Sequence, residues 1–157
     1  MIDVDVGVEK RDLYLRRLNA FYDQVEGWCP DHGYRIARDL EILNEEGIGQ
    51  YEAPAMVIAS TDINEKFVVR LNPIGAVILG SPGRVDLKGL GISYSFLYFL
   101  GQGPTKRTKV NGQFGAPRPM LRGVNGDGWY WMESVVLRAK FVDEALFTDL
   151  LADLFDR

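Results

Sequence analysis

Between residues 9 and 28 the apolar positions recur at steps of four and three. Tyr14, Leu18, Phe21, Val25 and Trp28 make one stripe, and Arg11, Asp12, Arg16, Arg17 and Asp23 fall off it. That period predicts an amphipathic helix, which Gly27 weakens and Pro30 stops. From Tyr34 the period drops to two. Over 34–43, Tyr34, Ile36, Leu40 and Ile42 lie on one side and Arg35, Asp39 and Glu41 on the other, the pattern of a strand with one wet face. The polar NEEGIGQ of 44–50 leads into a second strand over 51–60, where Pro54 requires an edge position or a bulge.

The stretch 66–101, KFVVRLNPIGAVILGSPGRVDLKGLGISYSFLYFLG, reads as successive strands joined by tight turns. Residues 66–71 are β-branched and aromatic, and Asn72-Pro73 predicts their end. Residues 76–79 are continuously apolar, as in a strand covered on both faces. Ser81-Pro82-Gly83 is a turn, with proline presetting φ at one corner and glycine accepting a positive φ at the next. Over 84–88, Val85 and Leu87 point one way and Arg84, Asp86 and Lys88 the other. After the break Gly89-Leu90-Gly91, residues 92–100 form the longest apolar strand, with Ile92, Tyr94, Phe96 and Tyr98 on one face.

Residues 101–128 interrupt the pattern, with a short hairpin predicted inside them at 109–114. Strand character returns over 129–141. A closing helix spans 143–155, with Asp143 as N-cap, Val142 and Phe147 as a hydrophobic staple, and Phe147, Leu150, Leu151 and Leu154 as its apolar face. The sum is one α+β domain over 1–157. Its mainly antiparallel, curved sheet has about six or seven strands, with the N-terminal helix across one face and the C-terminal helix at an end or edge.

Charge and composition sharpen this picture at a few points. The formal charge of −4 argues against attraction of the whole surface to nucleic acid or anionic membrane. Cys29 is the sole cysteine, so no internal disulfide forms and a reducing compartment is the simpler setting. The start, MIDVDVGVEKRD, lacks the shape of a signal peptide, and no apolar run approaches the roughly 20 residues of a membrane helix. The expectation is a soluble, cytoplasmic protein with no membrane partner. Residues 101–128 hold seven of the 17 glycines and three of the seven prolines, together with Lys106, Arg107, Lys109, Arg118 and Arg122 against one acid, Asp127. Long loops in compact domains are often functional. A basic loop on an acidic body suits an acidic protein partner or a nucleic-acid backbone. No Gly-rich phosphate-binding motif is present.

Three further clusters bear on chemistry. Asp86-Leu87-Lys88 sets an acid and a lysine on one face of a strand. VDLKG resembles the second half of the PD-(D/E)xK motif of metal-dependent nucleases, in which carboxylates hold Mg²⁺ or Mn²⁺ and a lysine helps position the attacking water. The resemblance implies a further acid nearby, Asp62 or Glu65. This chain departs from the motif in having aspartate where glutamate is commoner, no Pro-Asp pair in the first half and no helix after the motif strands. The plainer alternative is a solvated, charged strand face. Cys29-Pro30-Asp31-His32 gathers metal-ligand types, but one cysteine and one histidine leave a closed zinc site two ligands short. A Cys-His nucleophile pair there lacks a third group, and a helix-terminating turn with Cys29 half buried and His32 exposed accounts for it. In Trp129-Tyr130-Trp131, both tryptophans read as core and Tyr130 as an exposed ring, suited to stacking or to anchoring an interface. Tyr94, Tyr98 and Phe99 suit either core or the wall of a small-ligand pocket.

With His32 the only histidine, no Ser-His-Asp set exists. The leading expectation is a non-catalytic binding or accessory protein without a cofactor: an immunity-type inhibitor, an adaptor or an assembly subunit. It would engage a protein partner through Lys106, Arg107, Lys109, Arg118, Arg122 and Tyr130. The alternative is a metal-dependent nuclease or phosphodiesterase, with Asp86, Lys88 and Asp62 in the site and the basic loop over the nucleic-acid backbone.

Overall fold

The computed structural model describes residues 4–78, 81–133 and 138–156. In chain order they form α1 (Val4–Trp28), a 3-10 turn (Pro30–His32), β1 (Tyr34–Glu45), β2 (Gly49–Ser60), β3 (Val68–Gly75), β4 (Arg84–Lys88) and β5 (Ser93–Phe99). Four two-residue strands follow: β6 (Thr105–Lys106), β7 (Lys109–Val110), β8 (Gln113–Phe114) and β9 (Arg118–Pro119). The chain then completes β10 (Gly128–Glu133), β11 (Arg138–Phe141) and α2 (Glu144–Phe155). One seven-stranded sheet has the order β1-β2-β3-β4-β5-β10-β11, with every neighbouring pair antiparallel. The protein is thus α+β, with an antiparallel sheet and a helix towards each end of the chain. Among the described residues no helix is long and apolar enough to cross a membrane.

The α1 stripe supplies the centre of the core. Tyr14, Leu18, Phe21 and Val25 are buried, and Tyr22 joins them. Phe21 stacks on Trp129 of β10 and meets Phe96 of β5 and Phe147 of α2 edge-on, with ring centroids 5.7–6.0 Å apart. Such aromatic pairs add about 0.5–1.5 kcal/mol each beyond the area they bury. α2 packs on the same sheet face as α1, near the end where β4 finishes and β3 begins. Phe155 stacks on Tyr34 and Phe67, and Leu154 lies against Gly89. Asp143 caps α2 by accepting from Leu146 N–H at 2.8 Å.

Three local expectations are corrected. First, β3 does not stop at Asn72-Pro73 but runs to Gly75. Pro73 falls at a register shift, past the last residue that pairs with β2, so its missing N–H leaves no bond to β2 unmade. Second, 76–78 is a bend with an isolated Ile78–Ser81 bridge rather than a strand, and Leu79 lies outside the described residues. The amides of Ala76 and Val77 donate instead to the Glu45 carboxylate at 3.0 and 2.9 Å, and Tyr51 donates its hydroxyl to the same group. Third, β1 changes the face it buries. Tyr34 and Ile36 pack on the core and so does Leu43, whereas Leu40 and Ile42 are 58% and 60% exposed. β3 pairs with β2 only at 56–59, so the outer part of the β1–β2 hairpin is a two-stranded ribbon, and such ribbons twist most strongly. The strand character of 129–141 resolves into the antiparallel pair β10 and β11, with 134–137 outside the described residues.

Candidate functional site

Asp86 lies on the sheet face opposite the helices, yet it is only 4% exposed. Arg84, two residues away on the same face, covers it: Nε and Nη2 meet the two carboxylate oxygens at 2.9 and 3.0 Å. The bond to Asp86 holds the Arg84 proton more firmly than usual, against the opposing effect of burial. Lys88 is exposed and Asp62 sits in the exposed turn before β3, its carboxylate accepting from Asn64 N–H. Among the described residues no three His, Cys, Asp or Glu side chains come close enough to hold a metal ion. The Asp86–Lys88 pair is therefore part of a charge-compensated sheet face. Arg70 extends that face by reaching across β2 to Asp39 at 2.6 Å and Glu41 at 2.8 Å.

Cys29 is fully buried, not half buried, and its thiol is pushed up to about 12 by desolvation. His32 places Nε2 3.5 Å from Glu144 Oε1. The segment works as a turn: Cys29 C=O accepts from His32 and Tyr34 N–H.

Residues 101–128 divide into a fixed base and a projecting arm. The base covers the back of the sheet, where Phe99, Tyr130 and Ala139 form a second apolar cluster with Leu121 and Val124 packed on it. Tyr130 is buried rather than exposed. Its hydroxyl donates to Gly126 C=O at 2.8 Å and accepts from Asn125 N–H at 3.0 Å, clamping the returning chain. Gly126 N–H donates to Gly101 C=O, and Ala139 N–H to Arg122 C=O. Gly123, at φ +91°, passes so close to the Ala139 carbonyl that a Cβ would collide with it.

The arm is a stepped hairpin. β6 pairs with β9 and β7 with β8, closed by Asn111-Gly112 at φ +52° and +79°. Two positive φ values at an Asn-Gly corner are the signature of a type I′ turn, and the hairpin predicted at 109–114 is present. Lys106, Arg107, Lys109, Arg118 and Arg122 are all exposed, and none enters an ion pair among the described residues. Lys106 stands directly opposite Arg118. Like charges in that relation destabilise a ladder. Val110, Phe114 and Met120 are exposed beside these cations, and Val110, Phe114 and Arg118 line a shallow cleft of about 490 Å³.

Comparison with known proteins finds no matching family, no similar curated protein and no similar solved structure. Several groups that organise the site escape sequence reasoning. Arg84 is adjacent to the motif-like residues, and its i, i+2 spacing to Asp86 signals the pair once the strand is assigned. The Lys106–Arg118 opposition depends on a register that no local pattern specifies.

Proposed function

We propose that the protein is a non-catalytic binding module whose arm, residues 105–119, docks on an acidic surface of a partner protein. The observation that carries this is the opposed Lys106–Arg118 pair, flanked by Arg107 and Lys109, with no ion pair to a carboxylate among the described residues to neutralise it. A chain that breaks a local stability rule without an internal compensation commonly does so at a functional position. An external carboxylate cluster turns the repulsion into attraction. Two features favour a protein over a nucleic acid. The body is acidic, so a long polyanion is repelled outside the arm. The exposed Val110, Phe114 and Met120 supply the apolar centre that a protein interface uses and a phosphate backbone does not.

The test is Lys106→Glu combined with Arg107→Glu. Both side chains are exposed and unpaired and the change relieves the repulsion from Arg118, so the melting temperature should not fall and should rise by no more than about 2 °C. Recovery of a protein partner from lysate of the native host should fall at least tenfold. In wild type the same recovery should fall between low and high salt, because exposed charges are screened beyond about 8 Å at physiological ionic strength. Undiminished recovery by the double variant would remove the arm from the interface.

A further inference from the structure

The like-charge opposition in the arm has a second instance at its base. Arg122 and Arg138 face each other across an isolated parallel bridge, where Ala139 N–H donates to Arg122 C=O at 2.8 Å. Neighbouring strands lie about 4.8 Å apart, so two cations side by side there repel. Both residues are exposed, and neither enters an ion pair among the described residues. Glu133 stands opposite Arg138 on β10, but its carboxylate meets Lys140 Nζ at 3.3 Å. Gly123 brings the two chains together here: a Cβ on it would lie 3.5 Å from Arg138 Cγ, besides colliding with the Ala139 carbonyl. Arg118 and Arg122 are four residues apart, at most about 14 Å of chain. The Lys106–Arg118 and Arg122–Arg138 pairs therefore belong to one continuous run. Met120, 54% exposed, sits between them, its N–H donating to Pro104 C=O at 2.9 Å.

We infer, resting on the reading of the arm as an acid-binding surface, that the partner presents one extended segment with carboxylates on both sides of an apolar residue. Lys106 and Arg118 bind one end of it, Met120 meets the apolar residue, and Arg122 and Arg138 bind the other end. An extended chain advances about 3.3 Å per residue. Acids at i and i+4 then span about 13 Å, and the apolar residue at i+2 lies on the same face as both. A helix advances only about 6 Å over the same four residues and reaches one pair. A phosphate backbone supplies the charge but no apolar group for Met120.

The experiment pans a displayed random library of peptides of about ten residues, enough to cover the strip with flanks, on the full-length protein. Enriched peptides are titrated by fluorescence anisotropy, with a labelled single-stranded oligonucleotide alongside. Arg122→Glu sets a carboxylate against Arg138, so its melting temperature should not fall. Arg138→Ala, which only removes a charge, serves as the second variant. The expected result is enrichment of peptides with acids four residues apart around a central apolar residue. These should bind Arg122→Glu and Lys106→Glu/Arg107→Glu at least tenfold more weakly than wild type, and Arg138→Ala at least threefold more weakly. No acidic enrichment, enrichment at helical spacing, or tighter binding of the oligonucleotide would overturn the inference. Loss with Lys106→Glu/Arg107→Glu but not with Arg122→Glu or Arg138→Ala would overturn this extension alone and leave the arm as the binding surface. Undiminished binding by all three variants would overturn both.

Discussion

Two tyrosines of α1, both fully buried, should respond in opposite ways to loss of the hydroxyl. Tyr14 Oη donates to Arg84 C=O at 2.5 Å and accepts from Ile74 and Gly75 N–H at 3.2 Å each. It bonds three main-chain groups at the register shift of β3. Tyr22 Oη, one turn pair further along, is equally buried and has no hydrogen-bond partner among the described residues. Burial raises the ionisation of both phenols, so both are neutral at any working pH. Tyr14→Phe keeps the ring and removes the side-chain partner of one buried and two half-buried main-chain groups. At about 1–1.5 kcal/mol for each, the loss is about 3–4.5 kcal/mol. For a chain of this size that is a fall of about 6–18 °C in melting temperature. Tyr22→Phe removes a buried hydroxyl that gains nothing, so it should be neutral or stabilising by up to about 1 kcal/mol. Urea denaturation at pH 7 measures both, with an unchanged slope showing that the unfolded state is comparable. A Tyr14→Phe loss below about 1 kcal/mol, or equal losses for the two variants, would refute the role assigned to the Tyr14 hydroxyl.

Two further outcomes follow from the geometry. Gly123→Ala should undock the base of the 101–128 segment, since the added Cβ meets the Ala139 carbonyl and the backbone sits at φ +91°. Such strain is worth about 1–3 kcal/mol locally; trypsin cleavage after Arg122 should accelerate while the main melting transition moves little, and unchanged cleavage would contradict the close approach. Cys29 should resist a thiol reagent at pH 8 until the protein is unfolded. Because burial raises its folded-state ionisation to about 12 from an ordinary 9, its favourable contribution is complete below pH 9 and declines as pH rises from 9 towards 12. The stability difference between wild type and Cys29→Ala should therefore shrink across that window, and a constant difference would contradict the burial.

The elements that were legible in the sequence are those fixed by local period and turn chemistry. The α1 stripe, the β4 and β5 alternation, the Asn111-Gly112 hairpin and the Asp143 cap all depend on residues within one or two turns of each other. What escaped depends on contacts remote in sequence. Residues 76–78 look like a covered strand until Glu45, 31 residues earlier, takes the amides of Ala76 and Val77. Leu40 and Ile42 have the right parity for the core, but the ribbon twists past it once β3 stops pairing. Tyr130 has the right parity for exposure, but the returning 121–126 chain roofs the back of the sheet over it. At the candidate site the sequence shows the cations of the arm, and the register that opposes Lys106 to Arg118 appears only in three dimensions. It also shows Asp86 and Lys88 as a pair, although the actual partner of Asp86 is Arg84.

The most direct measurement is photo-crosslinking in the native host, with a photoreactive phenylalanine analogue at position 114 on the arm and, as a control, at position 40 on the exposed face of β1. An arm that docks on an acidic partner gives a discrete protein crosslink from position 114, resistant to nuclease, absent from position 40 and lost when Lys106→Glu and Arg107→Glu are added. No crosslink from position 114, a nuclease-sensitive one, or one that survives both charge reversals would contradict the arm as the binding surface.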